Sequence, residues 1–286
     1  MKNENNPFYR KQTINCNGKL ISLDTPIVMG ILNLTPDSFF DGGSYKTEQD
    51  ILHKVEQMIT EGASIIDIGA VSTRPNAAVI SIEEELLRLM PAIKLIRKEF
   101  PEIPLSIDTF HAEVATESIN EGASIINDIA GGTMDDKMFE TIAKYNIPYI
   151  LMHIQGTPAT MQINPVYDNI ITEVMDYFIL KINRLHTLGV NDLIIDPGFG
   201  FGKTLEHNYE LLNKLALFQM LECPILCGIS RKSMINKVLH TKPADALNGT
   251  TVLNTIALLN GANILRVHDV KPAVEAIKLV NHIQNN

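Results

Sequence analysis

The sequence is poor in cysteine, in basic charge and in long apolar runs, and each shortage excludes something. Three cysteines, Cys16, Cys223 and Cys227, are an odd and sparse set for 286 residues. That argues against a disulfide framework, and reduced, mostly buried thiols are expected. Cys223 and Cys227 also lack the further Cys or His partners that a zinc site at that spacing would need. Lys and Arg total 24 against 33 Asp and Glu, a formal charge of -9. That balance disfavours nucleic acid, whose binding rests on cationic side chains neutralising phosphates, so an anionic ligand must meet a local positive pocket. No stretch reaches the roughly 18 apolar residues of a membrane span, and the opening "MKNENNPFYRK" is polar where a signal peptide would carry its apolar region. The expectation is a cytoplasmic protein that binds neither membrane nor nucleic acid. Low-complexity segments and Pro/Gly/Ser-rich linkers are missing too, while the 45% apolar fraction is enough for one sizeable core.

What the chain does contain is a series of short runs rich in Ile, Val and Leu. Eight stand out: "IVMGILN" from Ile27, "SIIDIG" from Ser64, "PLSIDT" from Pro104, "SIINDI" from Ser124, "PYILMH" from Pro148, "DLIIDP" from Asp192, "PILCGIS" from Pro224 and "NILRVH" from Asn263. Continuous apolar runs of this length read as strands buried on both faces, the form parallel strands take. Helical periodicity fills the gaps. In residues 47–61, Ile51, Val55, Met58 and Ile59 fall on one face, and Ser81 with Glu84 reads as a capping box opening the next helix. Eight alternations in about 260 residues match an α/β fold of the (β/α)8 barrel type, with a doubly wound sheet as runner-up. The barrel is assigned to residues 26–286. Residues 1–25 form a lead-in whose "INCNGKLISL" suggests a hairpin across the barrel floor.

One phrase recurs. "EGASIIDIGA" at 61–70 returns as "EGASIINDIA" at 121–130, more weakly as "NGANILRVHD" from Asn260, and more loosely still as "LGVNDLIIDPG" from Leu188. Glycine followed at once by a strand marks a helix C-terminus in which Gly62 or Gly122 takes the left-handed cap position. The shared part is thus a helix-to-strand junction. Five residues beyond the glycine the copies diverge, to Asp67, Asn127 and Arg266. These positions lie toward the C-terminal strand ends, the face on which barrel enzymes carry their sites.

Collected across the chain, that face bears Asn33, Asp67, Asp108, Asn127, His153, Asp196, Ser230, Lys232, Arg266 and His268. Any one of these is readily a cap or loop anchor, but together they fall into two chemical subsets. Asp108, Asn127, Asp196 and Lys232 offer several acceptors and few donors. A buried carboxylate needs donors, and a flat ligand edge with adjacent N–H groups, such as a 2-aminopyrimidinone ring, satisfies that need. The competing reading of Lys232 is a structural ion pair with an aspartate. Arg266 and His268, two apart and so on one face of the last strand, join Asn33 at the end of the first; a guanidinium fork there suits phosphate oxygens. "PGFGFGKT" (197–204) is a decoy. Gly198 to Gly202 encloses three residues where a P-loop needs four, and Lys203 takes the last glycine position of a dinucleotide fingerprint. A tightly packed loop that sets Phe201 against a planar ligand fits better.

The stretches "GILNLTPDSFFDGG" (30–43), "STRP" (72–75), "SIDT" (106–109), "NDIAGG" (127–132), "MHIQGTPATMQINPVYD" (152–168), "DPGFGFGK" (196–203), "SRKS" (230–233) and "RVHDV" (266–270) together resemble the motifs of the dihydropteroate synthase family, in order, from about Pro26 to the C-terminus. The resemblance implies a homodimeric barrel enzyme that joins 6-hydroxymethyl-7,8-dihydropterin diphosphate to p-aminobenzoate. By that resemblance Asp108, Asn127, Asp196 and Lys232 hold the pterin, Met152 and Phe201 line its pocket, and Arg266 stacks on the ring. Asn33, Arg74, Arg266 and His268 surround the diphosphate, with Asn33 also contacting Mg²⁺. Phe39, Thr73, Pro75 and Ser233 flank p-aminobenzoate, and Asp41 belongs to a mobile first loop that closes together with the loop of Arg74. Val71 and Asn76 depart from the pattern, in which Glu commonly precedes Ser-Thr-Arg-Pro and Gly follows it. Two other functions compete. A methyltransferase domain acting on methyltetrahydrofolate and a corrinoid would have no diphosphate to hold, and a non-catalytic pterin-binding protein would have no need of intact "STRP" and "NLTPDSF" loops.

Overall fold

The computed structural model describes residues 13–34, 47–71 and 80–285. Its first elements are the antiparallel strands β1 (Thr13–Cys16) and β2 (Lys19–Ser22). Eight parallel strands follow: β3 (Ile27–Asn33), β4 (Ile65–Gly69), β5 (Leu105–Asp108), β6 (Ile125–Asp128), β7 (Tyr149–Met152), β8 (Leu193–Asp196), β9 (Leu226–Cys227) and β10 (Ile264–Val267). Their order in the sheet is β8-β7-β6-β5-β4-β3-β10-β9. A parallel bridge between Ile195 and Ile225 joins the two ends. That closure excludes the doubly wound alternative and fixes a barrel.

The helices are α1 (Glu48–Glu61), α2 (Ile82–Glu99), α3 (Ala112–Asn120), α4 (Met138–Tyr145), α5 (Ile170–Thr187), α6 (Leu205–Asn213), α7 (Ser233–Leu239), α8 (Leu247–Leu259) and α9 (Val270–Gln284). Thr47 and Asp50 close a reciprocal capping box on α1. The box expected at α2 is half made: Ser81 accepts from the Glu84 N–H, but Glu84 turns outward to Arg88 instead of back to the cap. The expected strand at "PILCGIS" shrinks to two residues. Beyond Cys227 the chain turns at once, with the Lys232 N–H returning to the Ile229 carbonyl and Arg231 in the left-handed region at φ 57°.

Period-two alternation along the strands sorts side chains into an outer core and an interior. Outward residues such as Val28, Ile66, Leu105, Tyr149 and Leu265 pack under the helices. Inward residues Met29, Ile65, Ile125, Ile150, Ile194, Leu226 and Ile264 form an apolar floor, and Ile14, Cys16 and Leu23 of the hairpin region pack against it from outside. The hairpin therefore plugs the barrel bottom. Two residues further along β4, β6, β8 and β10 the interior turns polar: Asp67, Asn127, Asp196 and Arg266. The apolar floor is what forces those polar groups to find partners among themselves or in a ligand.

The repeated junction is as expected. Gly62 and Gly122 hold φ 106° and 101°, and Gly261 and Gly189 of the weaker copies hold 94° and 88°. The Gly122 carbonyl is capped by Arg97, which also reaches the Ile103 carbonyl and Ser124. One α2 side chain thus ties together two barrel units.

Candidate active site

The divergent ends of the repeat meet inside the barrel. Asp67, fully buried, accepts from the Arg266 Nε at 2.6 Å through Oδ2 and from Ser106 Oγ at 2.6 Å through Oδ1. Asn127 Nδ2 adds contacts of 3.2 and 3.3 Å to the same carboxylate. Because Asp67 as a carboxylate only accepts, the Asn127 amide must present its NH₂ to it, which leaves Oδ1 free to face a ligand. Arg266 completes the ring by donating from Nη2 to Asp108 Oδ2 at 2.6 Å. Asp67 is thus the keystone of this ring. Ser106 lies on the neighbouring strand and Asn127 one strand further, whereas Arg266 lies 199 residues away on the last strand.

The second focus is Asp196, at the end of β8. Its Oδ1 accepts from the Gly198 N–H at 2.8 Å. Oδ2 points toward Gly228, where the Lys232 ammonium also converges: both lie within 4 Å of the position a Gly228 side chain would take. Lys232 donates to the Phe199 carbonyl and sits 4.6 Å over the Phe201 ring. Among the described residues its direct partners are thus a carbonyl and a ring, not a carboxylate. Met152, Phe110, Ile129, Ala130, Ile154 and Met161 form an apolar wall against which Phe201 and Val71 pack. Val71 therefore serves that wall where a glutamate would be poorly housed.

Burial dominates the electrostatics. It raises Asp108 to about 7 despite the opposing pull of Arg266, and it raises Asp196 against the pull of Lys232. It lowers Lys232 to about 8, with Asp196 acting the other way. His268 is lowered to about 3 by burial and by Arg266, so it is a neutral imidazole at neutral pH; its Nδ1 lies 3.1 Å from Ser230 Oγ. The ring as a whole offers unspent acceptors on Asn127, Asp108 and Asp196, edged by two cations, in a cup with an apolar wall. That is a receptor for a flat heterocycle with donors along one edge.

Asn33 ends β3 beside this cup, its Oδ1 and Asp108 Oδ2 both close to Gly69. No group of three or more His, Cys, Asp or Glu suited to a metal occurs among the described residues. Ser233 opens α7 at the surface, next to Gly200 and Gln162. Phe39, Asp41, Thr73, Arg74, Pro75 and Asn76 lie outside the described residues.

The Pterin binding enzyme family matches residues 29–268. A dihydropteroate synthase of Escherichia coli (strain K12) is 47% identical over 265 residues, 92% of this chain and 93% of that one. The chain belongs to the dihydropteroate synthase family. Solved structures agree with that membership. The Yersinia pestis enzyme in a sulfonamide drug complex superposes with a TM-score of 0.92 at 42% identity, over 96% of this chain and 100% of that one. The Xanthomonas albilineans enzyme with 4-aminobenzoic acid gives 0.88 at 36%, over 96% and 99%.

Sequence reasoning brought Asp108, Asn127, Asp196, Lys232, Arg266 and His268 to the same end of the barrel, and the fold places them there. It placed Asp67 in neither chemical subset. It passed over Ser106, and over Glu85, fully buried on α2 and 2.8 Å from His111 Nδ1. Only the last had a usable signal, a charged residue on the inward face of a helix.

Proposed function

We propose that the chain condenses 6-hydroxymethyl-7,8-dihydropterin diphosphate with p-aminobenzoate, giving 7,8-dihydropteroate and diphosphate for folate biosynthesis. The observation that carries this is the ring of unspent acceptors on Asn127, Asp108 and Asp196 beside Arg266 and Lys232. Asp196, Asn127 and Asp108 take the N–H edge of the pterin, and Lys232 donates to its ring acceptors. Arg266 is fixed by two carboxylates, so its guanidinium face and remaining N–H groups are held ready for the ring and the diphosphate. Met152 and Phe201 close on the ring faces. By the family resemblance Thr73, Pro75 and Phe39 with Ser233 are assigned to p-aminobenzoate, and Arg74 and Asp41 to the reacting centre.

The exocyclic methylene C–O bond breaks first, and its electron pair leaves with the diphosphate. The electron-rich ring spreads the resulting positive charge, which the Asp108 carboxylate stabilises. The arylamine nitrogen then attacks the methylene carbon and loses a proton. Arg266, Arg74, Asn33 and the His268 N–H receive the departing anion. Mg²⁺ fits here only as an ion that arrives with the diphosphate: Asn33 supplies a neutral oxygen, suited to an ion that keeps its waters and phosphate ligands. When bound, it neutralises leaving-group charge.

The homodimer is supported by α8, "LNGTTVLNTIALL", which carries no charge yet exposes Val252, Ile256 and Leu259 on one face, near exposed Leu279 and Ile283 of α9. A cytoplasmic location is supported by the free thiols of Cys16 and Cys227, both buried. The deciding assay is diphosphate release from the pterin substrate. Release that requires p-aminobenzoate is expected; a folded, pterin-binding protein that releases none would refute the reading.

A further inference from the structure

Two residues stand out that neither the pterin ring nor the diphosphate employs. Lys203, the residue that breaks the glycine fingerprint, is 3% exposed, and His153, one step beyond β7, is 5% exposed. They touch: Lys203 Nζ lies 2.9 Å from His153 Nδ1, 2.9 Å from the Phe201 carbonyl and 3.4 Å from the His153 carbonyl. Burial pushes Lys203 well below the ordinary lysine value and His153 down to about 2. Three acceptors nevertheless match the three N–H bonds of an ammonium, and His153 can serve as one only as the neutral ring protonated on Nε2. The geometry thus accommodates a buried cation on a neutral imidazole.

The surrounding packing shows what this contact restrains. The loop after β8 lies backbone against backbone on the segment after β7. A side chain at Gly198 would strike the His153 carbonyl, and one at Gly202 would come within 2.6 Å of the Gln155 carbonyl. Tyr167 OH donates to the Gly202 carbonyl at 2.7 Å, and Tyr177 OH to the Met152 carbonyl at 2.8 Å, with the Tyr177 ring edge-on to His153. The same loop presents Asp196, the Phe199 carbonyl that receives Lys232, and the Phe201 ring beneath that ammonium.

We propose that Lys203 is a positioning residue for the pterin pocket: its buried ammonium locks the loop after β8 to the end of β7, and so sets Phe201, Lys232 and Asp196 for the ring. This rests on the pterin reading of the site. A second consequence is electrostatic, since Lys203 helps keep Asp196 ionised together with Lys232 and Arg266, whereas the Cys227 thiol on β9 is the other titratable neighbour.

The test is Lys203→Met, which keeps volume and removes the cation. The KM for the pterin diphosphate should rise roughly tenfold, the size expected for lost charge-assisted contacts, while that for p-aminobenzoate stays within about twofold. In wild type, pteroic acid affinity measured by calorimetry should fall as pH is lowered and the raised carboxyls of Asp108 and Asp196 take up protons. In the variant that fall should begin at higher pH. An unchanged pterin KM and pH profile, or equal rises in both KM values with a lower melting temperature, would overturn the proposal. Should Lys203→Met not fold, hydrogen exchange on the wild-type protein decides: residues 152–155 and 198–203 should be protected as one unit and gain protection together when pteroic acid binds. Independent exchange of the two segments would overturn it as well. Wild-type protein that binds no pterin at all would instead refute the proposed function.

Discussion

Single side chains in the ring act through what they leave unspent. Asp108 gives one oxygen to Arg266 and keeps the other for the ligand, so Asp108→Asn preserves shape while removing the charge opposite the forming cation. Turnover should fall by about 100-fold or more, the scale of a lost electrostatic group. Pteroic acid binding measured by calorimetry should weaken far less, and matched losses would mean that Asp108 only binds. Lys232 gives a pH dependence of known sign. Its donor role needs the protonated form, and burial lowers it to about 8. On the alkaline side, pterin affinity should therefore decline as pH rises through that value. Lys232→Arg, which stays charged throughout, should remove the decline even if affinity is lower overall. At this scale the sequence was legible wherever polarity alone marked a strand end. Asp67 was not, because its importance lies in Arg266, a partner that only barrel closure brings near.

Helices and strands were read with little error where hydrophobic period decided them, and poorly where a turn overrode it. The Ile- and Val-rich runs at Ile27 and Ser64 became strands within a residue of their expected starts. The run at Pro224 lost most of its length to the turn that delivers Lys232, a tertiary demand that periodicity does not encode. Junctions are the most predictable parts and can be tested as such. Gly122 holds φ 101°, and an added Cβ would lie 3.2 Å from Arg97 Cδ and Nε. Gly122→Ala should cost about 1–2 kcal/mol from backbone strain, more if Arg97 releases its carbonyls, read by denaturant unfolding. The contact between α2 and the start of α3 is pH-dependent. The hydrogen bond that His111 Nδ1–H donates to Glu85 raises His111 above the ordinary histidine value. The stabilisation is full below about pH 6.5, the unfolded value, and disappears as pH rises through the raised folded value. The melting-temperature gap between wild type and His111→Gln should accordingly narrow from acid to alkaline pH. A constant gap would show that the pair is not titrating.

For the molecule as a whole, the floor and the outer face have separate tasks. The plugged floor makes the barrel a cup with one opening, so every ligand enters past the loops at the C-terminal strand ends. The uncharged face of α8 lies away from that opening and is the natural place for self-association. If the proposed dimer forms through this face, Ile256→Glu should convert it to monomer in sedimentation while leaving the melting transition cooperative; wild-type and variant protein with the same sedimentation coefficient would refute self-association through α8. The interior ring has a further consequence, which concerns inheritance. Asp67 holds Ser106, Asn127 and Arg266 at once, and Arg266 holds Asp108. An apolar replacement of Asp67 or Arg266 strands at least one buried partner, so the ring can change only by coordinated steps. Val71, at the rim, packs on the wall without a polar partner to abandon. New ligand preferences should therefore enter this lineage through its rim, one residue at a time, while the ring is passed on intact.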